Sequence, residues 1–257
     1  MSIRARTPAE RGLWSRIVQL AFLAALLLLW TLATTEWGVS HILLPRPLSV
    51  WHEFIDIIGS GEFLPDLRVT LSELAVAFAI SLTLGTTLGY LISRSSYWIR
   101  VFEPLFAGIY SIPIILFLPL YVMLFGLGPA SKIALGATIS FFPIVLNTIV
   151  GFGTVDRTLV TAARSMGASD VQMFRYVLFP AALPVILAGL RMGFTVALLS
   201  VIGSETIASL AGLGHRIVNL AENMEMARMF GYIAFVVAIA VLLNTLVSRL
   251  EARGRWQ

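Results

Sequence analysis

The chain has 257 residues, 58% of them apolar and only 12% charged, with a mean hydropathy of +0.89, whereas a soluble domain carries about a quarter charged residues. Cysteine is absent, which excludes disulfides, thiolate zinc sites and iron–sulfur clusters, and the +4 net charge rests on arginines with a single lysine, Lys132, so lysine chemistry is nearly excluded too. Six helices of about 20 apolar residues would cross a bilayer, and a bundle of that size leaves too few residues for a separate soluble catalytic domain.

Apolar runs between charges predict an all-α polytopic membrane protein with six transmembrane helices near 17–35, 71–93, 101–125, 131–151, 183–204 and 229–249. Arg4, Arg6, Arg11 and Arg16 precede the first run, as they would a secretory signal. That run is longer than a typical signal core, lacks a small-x-small cleavage site and is followed by five more, so it is expected to be retained. Residues 36–70 form the longest connection, broken by Pro45, Pro47 and Pro65. Within it, apolar residues of the stretch 49–58 recur at helical spacing and predict a short amphipathic helix at the interface. No repeat or linker marks a second domain, so 1–257 reads as one transmembrane unit.

Gly85 with Gly89 in the second span, and Gly189 with Gly193 in the fifth, have the small-x-x-x-small form that lets helix backbones approach; packing within one subunit is the expected use. Pro113, Pro119 and Pro143 are expected to kink spans three and four. Glu73, Glu103, Arg191 and Glu205 lie within or at the edges of spans, either as functional intramembrane charges or as interfacial snorkelling groups. With the N terminus inside, twelve arginines (4, 6, 11, 16, 94, 100, 157, 164, 175, 249, 253 and 255) fall on cytoplasmic segments. Only Arg46, Arg68, Lys132, Arg216 and Arg228 fall outside, so both termini are expected in the cytoplasm.

The chain has no phosphate-cradling loop with which to handle ATP. The phosphate loop G-x-x-x-x-G-K-[ST] needs a Gly-Lys pair, and Lys132 follows Ser131. His41, His52 and His215 fall outside the spans with no metal-type spacing, so an enzyme and a metal site are not expected. Ser111, Ser140, Asn147, Thr148, Thr195, Ser200, Ser204 and Glu205 are the polar side chains that could face a substrate path.

The segment 156–180 is the most informative. A helix ended by Gly167, then a second one capped by Ser169 or Asp170 and stopped ahead of Pro180 and Pro184, predicts two short helices at a sharp angle on the cytoplasmic side. Ala162 and Ala163 would let another surface approach, so the knob could carry a stroke from a soluble motor; an ordinary amphipathic loop on the membrane surface is the other reading.

Thr161-Ala162-Ala163, three residues, Gly167, nine residues, then Val177-Leu178-Phe179-Pro180 resembles the signature of the integral membrane subunits of bacterial ATP-binding-cassette importers: Glu-Ala-Ala, three residues, Gly, nine residues, Ile-x-Leu-Pro. Leu44-Pro45-Arg46-Pro47, Ser111-Ile112-Pro113, Phe125-Gly126-Leu127-Gly128, Phe141-Phe142-Pro143-Ile144 and Gly212-Leu213-Gly214 look like the sulfonate, taurine and nitrate branch. The resemblance implies a type I importer permease in the bacterial inner membrane, a homodimer with a second, identical permease. Each copy would receive a small anion from an extracytoplasmic substrate-binding protein and dock a cytoplasmic ATPase dimer that holds ATP and Mg; the chain itself would hold no cofactor and bind no nucleic acid.

It also implies that Arg157, Thr161, Ala162, Ala163, Arg164, Ser165, Gly167, Ala168, Ser169, Arg175 and Pro180 form the ATPase-coupling segment. Thr161 stands where the family has Glu, and a hydroxyl cannot make that charged contact, so docking would rest on shape and on the arginines. The alternative to an importer permease is a self-powered secondary transporter or channel, which would move solute without ATP.

Overall fold

A membrane-spanning segment must satisfy its backbone internally, and the long apolar runs do so as helices. The computed structural model describes residues 8–36, 38–40 and 43–254, and no strand occurs among them. Arg4, Arg6, His41 and Arg255 of the sequence reading lie outside the described residues, and nothing is described of the Arg11 and Arg253 side chains. The chain divides into two compact units, one holding residues up to Gly61 with Asn219–Ala234, the other Glu62–Val218 with the residues from Phe235 onward.

In the first unit, α1 (Pro8–Thr35) is apolar and exposed nearly all round over Arg16–Thr35, as befits a helix whose surroundings are lipid. Its Trp30 indole donates to Pro45 O at 3.0 Å and its ring lies 6.1 Å from Phe230. The predicted amphipathic helix is α2 (Pro47–Ser60), with proline in its first turn and Gly61 (φ 70°) as its left-handed stop. Arg228 joins this unit by ion pairs to Glu53 (3.5 Å) and Asp56 (3.4 Å).

The second unit contains α3 (Leu64–Ser93), which begins seven residues earlier than expected because Pro65 sits in its first turn, where a missing N–H costs nothing. The third span is not one helix. It is α4 (Ser96–Tyr110), then a 3₁₀ turn (Ile114–Phe117) and α5 (Leu118–Phe125), bent by 71°. Pro113 opens the 3₁₀ turn; Pro119 starts α5 rather than kinking a helix, and Pro143 is carried inside an unbroken α6 (Pro129–Gly153). The elbow follows as α7 (Arg157–Ser165) and α8 (Asp170–Met173).

Contrary to expectation, Pro180 and Pro184 do not stop the second elbow helix. A π-helical segment, Phe174–Leu178, absorbs the extra residue and hands the chain to α9 (Phe179–Ile207), so helix runs continuously from Asp170 to Ile207. α10 (Leu213–Glu222) and α11 (Met226–Gly254) complete the chain. Among the described residues, five helices are long and apolar enough to cross a membrane, six if the bent pair is one span.

The centre of this unit is α6, whose Ile144, Val145 and Ile149 are buried. The glycine pairs grip it from two sides. A Cβ on Gly85 would lie 2.7 Å from Ile144 Cγ2, and one on Gly89 2.6 Å from Thr148 Cβ; from α9, Gly189 faces Asn147 and Gly193 faces Ile144. The expected use of these pairs in packing within one subunit is therefore what the fold shows.

Candidate functional site

The elbow is built by capping. The Asp156 carboxylate accepts the Thr158 N–H at 2.8 Å, which starts α7 and holds that carboxyl below its ordinary range. α7 ends in a Schellman motif: Gly167 (φ 78°) donates to Arg164 O at 2.9 Å and Ala168 donates to Ala163 O at 3.1 Å. Two residues on, Ser169 and Gln172 form a capping box, with Ser169 Oγ accepting the Gln172 N–H and Gln172 Oε1 accepting the Ser169 N–H. Of the two expected caps Ser169 is the one used, and Asp170 occupies the first helical position.

Ala163 and Met173 are buried against the bundle, whereas Ala162 is exposed. Thr161 Oγ1 is turned onto its own helix, donating to Arg157 O at 2.9 Å, and Ser165 donates to Thr161 O. The outermost face carries exposed apolar side chains, Met166 (82% exposed), Val171 and Tyr176; Arg175 lies 5.9 Å from the Tyr176 ring. Pro180 sits in the first turn of α9. Exposed apolar groups of this size mark a surface that a protein or a membrane can cover.

At the opposite end of α6 and α9 lies a buried polar cluster. Lys132, Glu73 and Glu205 are all at most 1% exposed and interact electrostatically. Glu205 Oε1 accepts from Thr70 Oγ1 at 2.7 Å and Oε2 from the Gly214 N–H at 2.8 Å, while Thr70 Oγ1 accepts the Leu213 N–H. Gly212 (φ 107°) donates to Asp66, and a side chain there would run into Glu205. The cluster therefore pins the 208–212 turn and the start of α10 onto α3. Lys132 Nζ donates to Leu127 O, Gly128 O and Ser131 Oγ, closing the α5–α6 turn.

Neither Glu73 nor Glu205 snorkels, and Lys132 is buried; Glu205 is held by Thr70 and the Gly214 N–H, and its meeting with Thr70 is one that sequence spacing does not reveal. A lone lysine beside a Gly-Pro helix start was the available signal for Lys132; Thr70 and Asp66 offered none. Arg191 is the exposed exception, its side chain 54% accessible and 3.6 Å from Glu251, and Glu103 is half-buried.

The polar residues considered for a path are dispersed. Ser140, Asn147, Thr148 and Ser204 hydrogen-bond within their own helices, to Gly136 O, Pro143 O, Ile144 O and Val201 O. Ser111 is exposed at the α4 break, and Ser200 is buried with no partner among the described residues. Thr195 donates to Asn244 across to α11 at 2.8 Å. Thr148 also lines an apolar cleft of ≈ 380 Å³ with Thr86 and Tyr90 of α3 and Ile186 and Leu190 of α9.

A family model described as the inner membrane component of binding-protein-dependent transport systems matches residues 81–253. The chain is 30% identical over 253 residues to the taurine transport system permease protein TauC of Escherichia coli K12, covering 96% of this chain and 91% of that one. It is equally 30% identical to the riboflavin transport system permease protein RibX of Chloroflexus aurantiacus (96% and 93%), and 28% identical to a putative aliphatic sulfonates transport permease protein SsuC of Bacillus subtilis (98% and 91%). Among solved structures, an amino acid ABC transporter chain superposes with a TM-score of 0.61 at 23% identity (79% of this chain, 97% of that one). An inward-facing methionine ABC transporter, MetNI, gives 0.61 at 20% (73% and 93%), so this chain shares the fold of those transporter chains.

Proposed function

The chain belongs to the family of inner membrane components of binding-protein-dependent transport systems, and from that membership we propose that it is the translocation subunit of an ATP-driven bacterial importer. The observation that carries the reading is the elbow: a doubly capped turn at the start of a span, with exposed apolar side chains at Met166 and Val171. It transmits force because α8, the π segment and α9 form one helical lever from the elbow to Ile207.

In this reading both termini and the elbow are cytoplasmic. Arg157, Thr161, Ala162, Ala163, Arg164, Ser165, Gly167, Ala168, Ser169, Arg175 and Pro180 make or support the contact with a separate ATPase dimer, which holds the ATP and Mg. The chain itself catalyses nothing and binds no nucleic acid. Since the Thr161 hydroxyl is occupied by Arg157 O, the docking is steric and apolar, through Met166 and Val171, with the arginines as its charged complement. A second permease, an identical copy, completes the path, in which Thr148 and the cleft beside it take part. An extracytoplasmic binding protein delivers the solute.

The taurine and sulfonate relatives support a small sulfonate-type anion as cargo. The riboflavin relative, just as similar, supports a larger aromatic solute as the second reading. Gly167→Arg forces a bulky residue into left-handed backbone, at a cost of about 1–2 kcal/mol, at the point of contact. It is expected to abolish ATP-dependent uptake and stimulated hydrolysis while the protein still inserts. Normal uptake by that variant refutes the docking. Binding of taurine, longer sulfonates, nitrate and riboflavin to the cognate binding protein, by calorimetry, decides between the cargoes.

A further inference from the structure

Beneath the elbow, on the side away from its exposed tip, lies a second cleft of ≈ 410 Å³ bounded by the end of α3, the start of α4, α7 and α8. Unlike the apolar cleft beside Thr148, it is lined by charge: Arg94, Arg157 and Arg164, against the single carboxylate of Asp170, which leaves two net positive charges from three arginines and one acid. None of the three arginines forms an ion pair among the described residues, although acidic side chains elsewhere take up Arg191, Arg216 and Arg228. Tyr90 and Ser96 add hydroxyl groups to the wall.

Three guanidinium groups, Arg94 at the end of α3 and Arg157 and Arg164 on α7, offer more donors than a planar carboxylate can accept, and from two walls of one cleft they suit a tetrahedral oxyanion. The cleft's depth in the membrane is marked by Tyr97 and Trp98, exposed aromatics directly after Ser96, which belong at the headgroup level. Basic pockets between helices at that level recruit anionic headgroups.

We propose that this cleft is a phosphate-binding site that takes the phosphodiester of an anionic phospholipid or a free phosphate, and that the bound group ties the base of the elbow to the α3–α4 turn. The site goes beyond the transport reading; it shares Arg157 and Arg164 with the docking segment, but Arg94 has no part in docking, so the proposal is tested at Arg94.

The test uses the full-length purified chain and native mass spectrometry. Phosphatidylglycerol, diacylglycerol with the same acyl chains, and inorganic phosphate are the probes. Wild type is expected to retain about one phosphatidylglycerol and no diacylglycerol. Arg94→Gln should weaken retention about fivefold, the effect of one arginine near a membrane surface. Arg94→Glu should weaken it further, and Arg94→Lys should restore part. Arg100→Glu, which reverses an exposed charge on α4 outside the cleft, should retain the lipid as wild type does.

Displacement of the lipid by millimolar inorganic phosphate identifies a soluble phosphate as a competent ligand; resistance to it identifies the headgroup. The proposal is overturned if Arg94→Gln, with an unchanged melting temperature, keeps the lipid as tightly as wild type. Equal loss in Arg100→Glu, or equal retention of diacylglycerol, overturns it as well. Should Arg94→Glu fail to fold, Arg94→Gln and Arg94→Lys carry the comparison.

Discussion

Glu205 shows how much one side chain can hold in a low-dielectric interior. It accepts from Thr70 and from the Gly214 N–H, and Thr70 in turn accepts from Leu213, so three segments meet on two oxygens. Glu205→Ala orphans the Gly214 amide and the Thr70 hydroxyl proton, and each buried unpaired group costs about 1–3 kcal/mol. A lowered unfolding temperature in nanodiscs is the expected result, with Thr70→Val showing a smaller drop; no change in either would mean that the cluster does not hold the 208–212 turn. At the other end, Asp156 caps α7 more strongly when ionised. Its acidity is raised by the Thr158 N–H, so the folded pKa is the lower one. The cap's contribution is present above the free carboxyl's value of about 4 and is lost as pH falls through the depressed one. Hydrogen-exchange protection at Thr158 should fall over that range in wild type and be independent of pH in Asp156→Asn, whose amide oxygen still accepts the N–H but does not titrate.

Among the helices, α6 is approached closely through the glycines of α3 and α9, while large side chains such as Ile92 and Phe106 pack on it as well. Without a hydrophobic driving force between helices in lipid, close backbone approach supplies the dispersion contacts instead. Gly85→Ala places a methyl 2.7 Å from Ile144 Cγ2, inside any real contact distance, and overpacking of this kind costs about 1–3 kcal/mol. In Gly85→Ala/Ile144→Ala the obstructing methyl is gone, so the double variant should lose less stability than the sum of the two singles, measured by thermal unfolding. Strict additivity would show that α3 simply moves aside.

For the whole chain, α9 is 29 residues long and therefore about 43 Å at 1.5 Å per residue, enough to put its two ends on opposite sides of a bilayer. With no native cysteine, single-cysteine variants give an unambiguous readout. Met166→Cys in the elbow and Leu210→Cys in the turn after α9, both highly exposed, should react with a membrane-impermeant maleimide from opposite faces: Leu210→Cys in intact cells, Met166→Cys only after the membrane is opened. The reverse pattern would invert the orientation inferred from the arginines and remove the elbow from the ATPase.

The five unbroken spans, the amphipathic helix α2, the Gly167 stop and the small-residue pairs were all legible in the sequence, because each depends on local chemistry: length against bilayer thickness, helical periodicity, a backbone that only glycine adopts easily. The break at Pro113 and the unbroken passage through Pro143 and Pro184 were not, since a proline alone does not say whether neighbouring turns will absorb its missing N–H. Nor could spacing show that Glu73, Lys132 and Glu205, drawn from three helices, share one buried cluster, or that Arg94 faces Arg157 and Arg164 across a cleft. Those are meetings of residues tens of positions apart, and only the packing of α3, α6 and α9 decides which charges must find one another once water is gone.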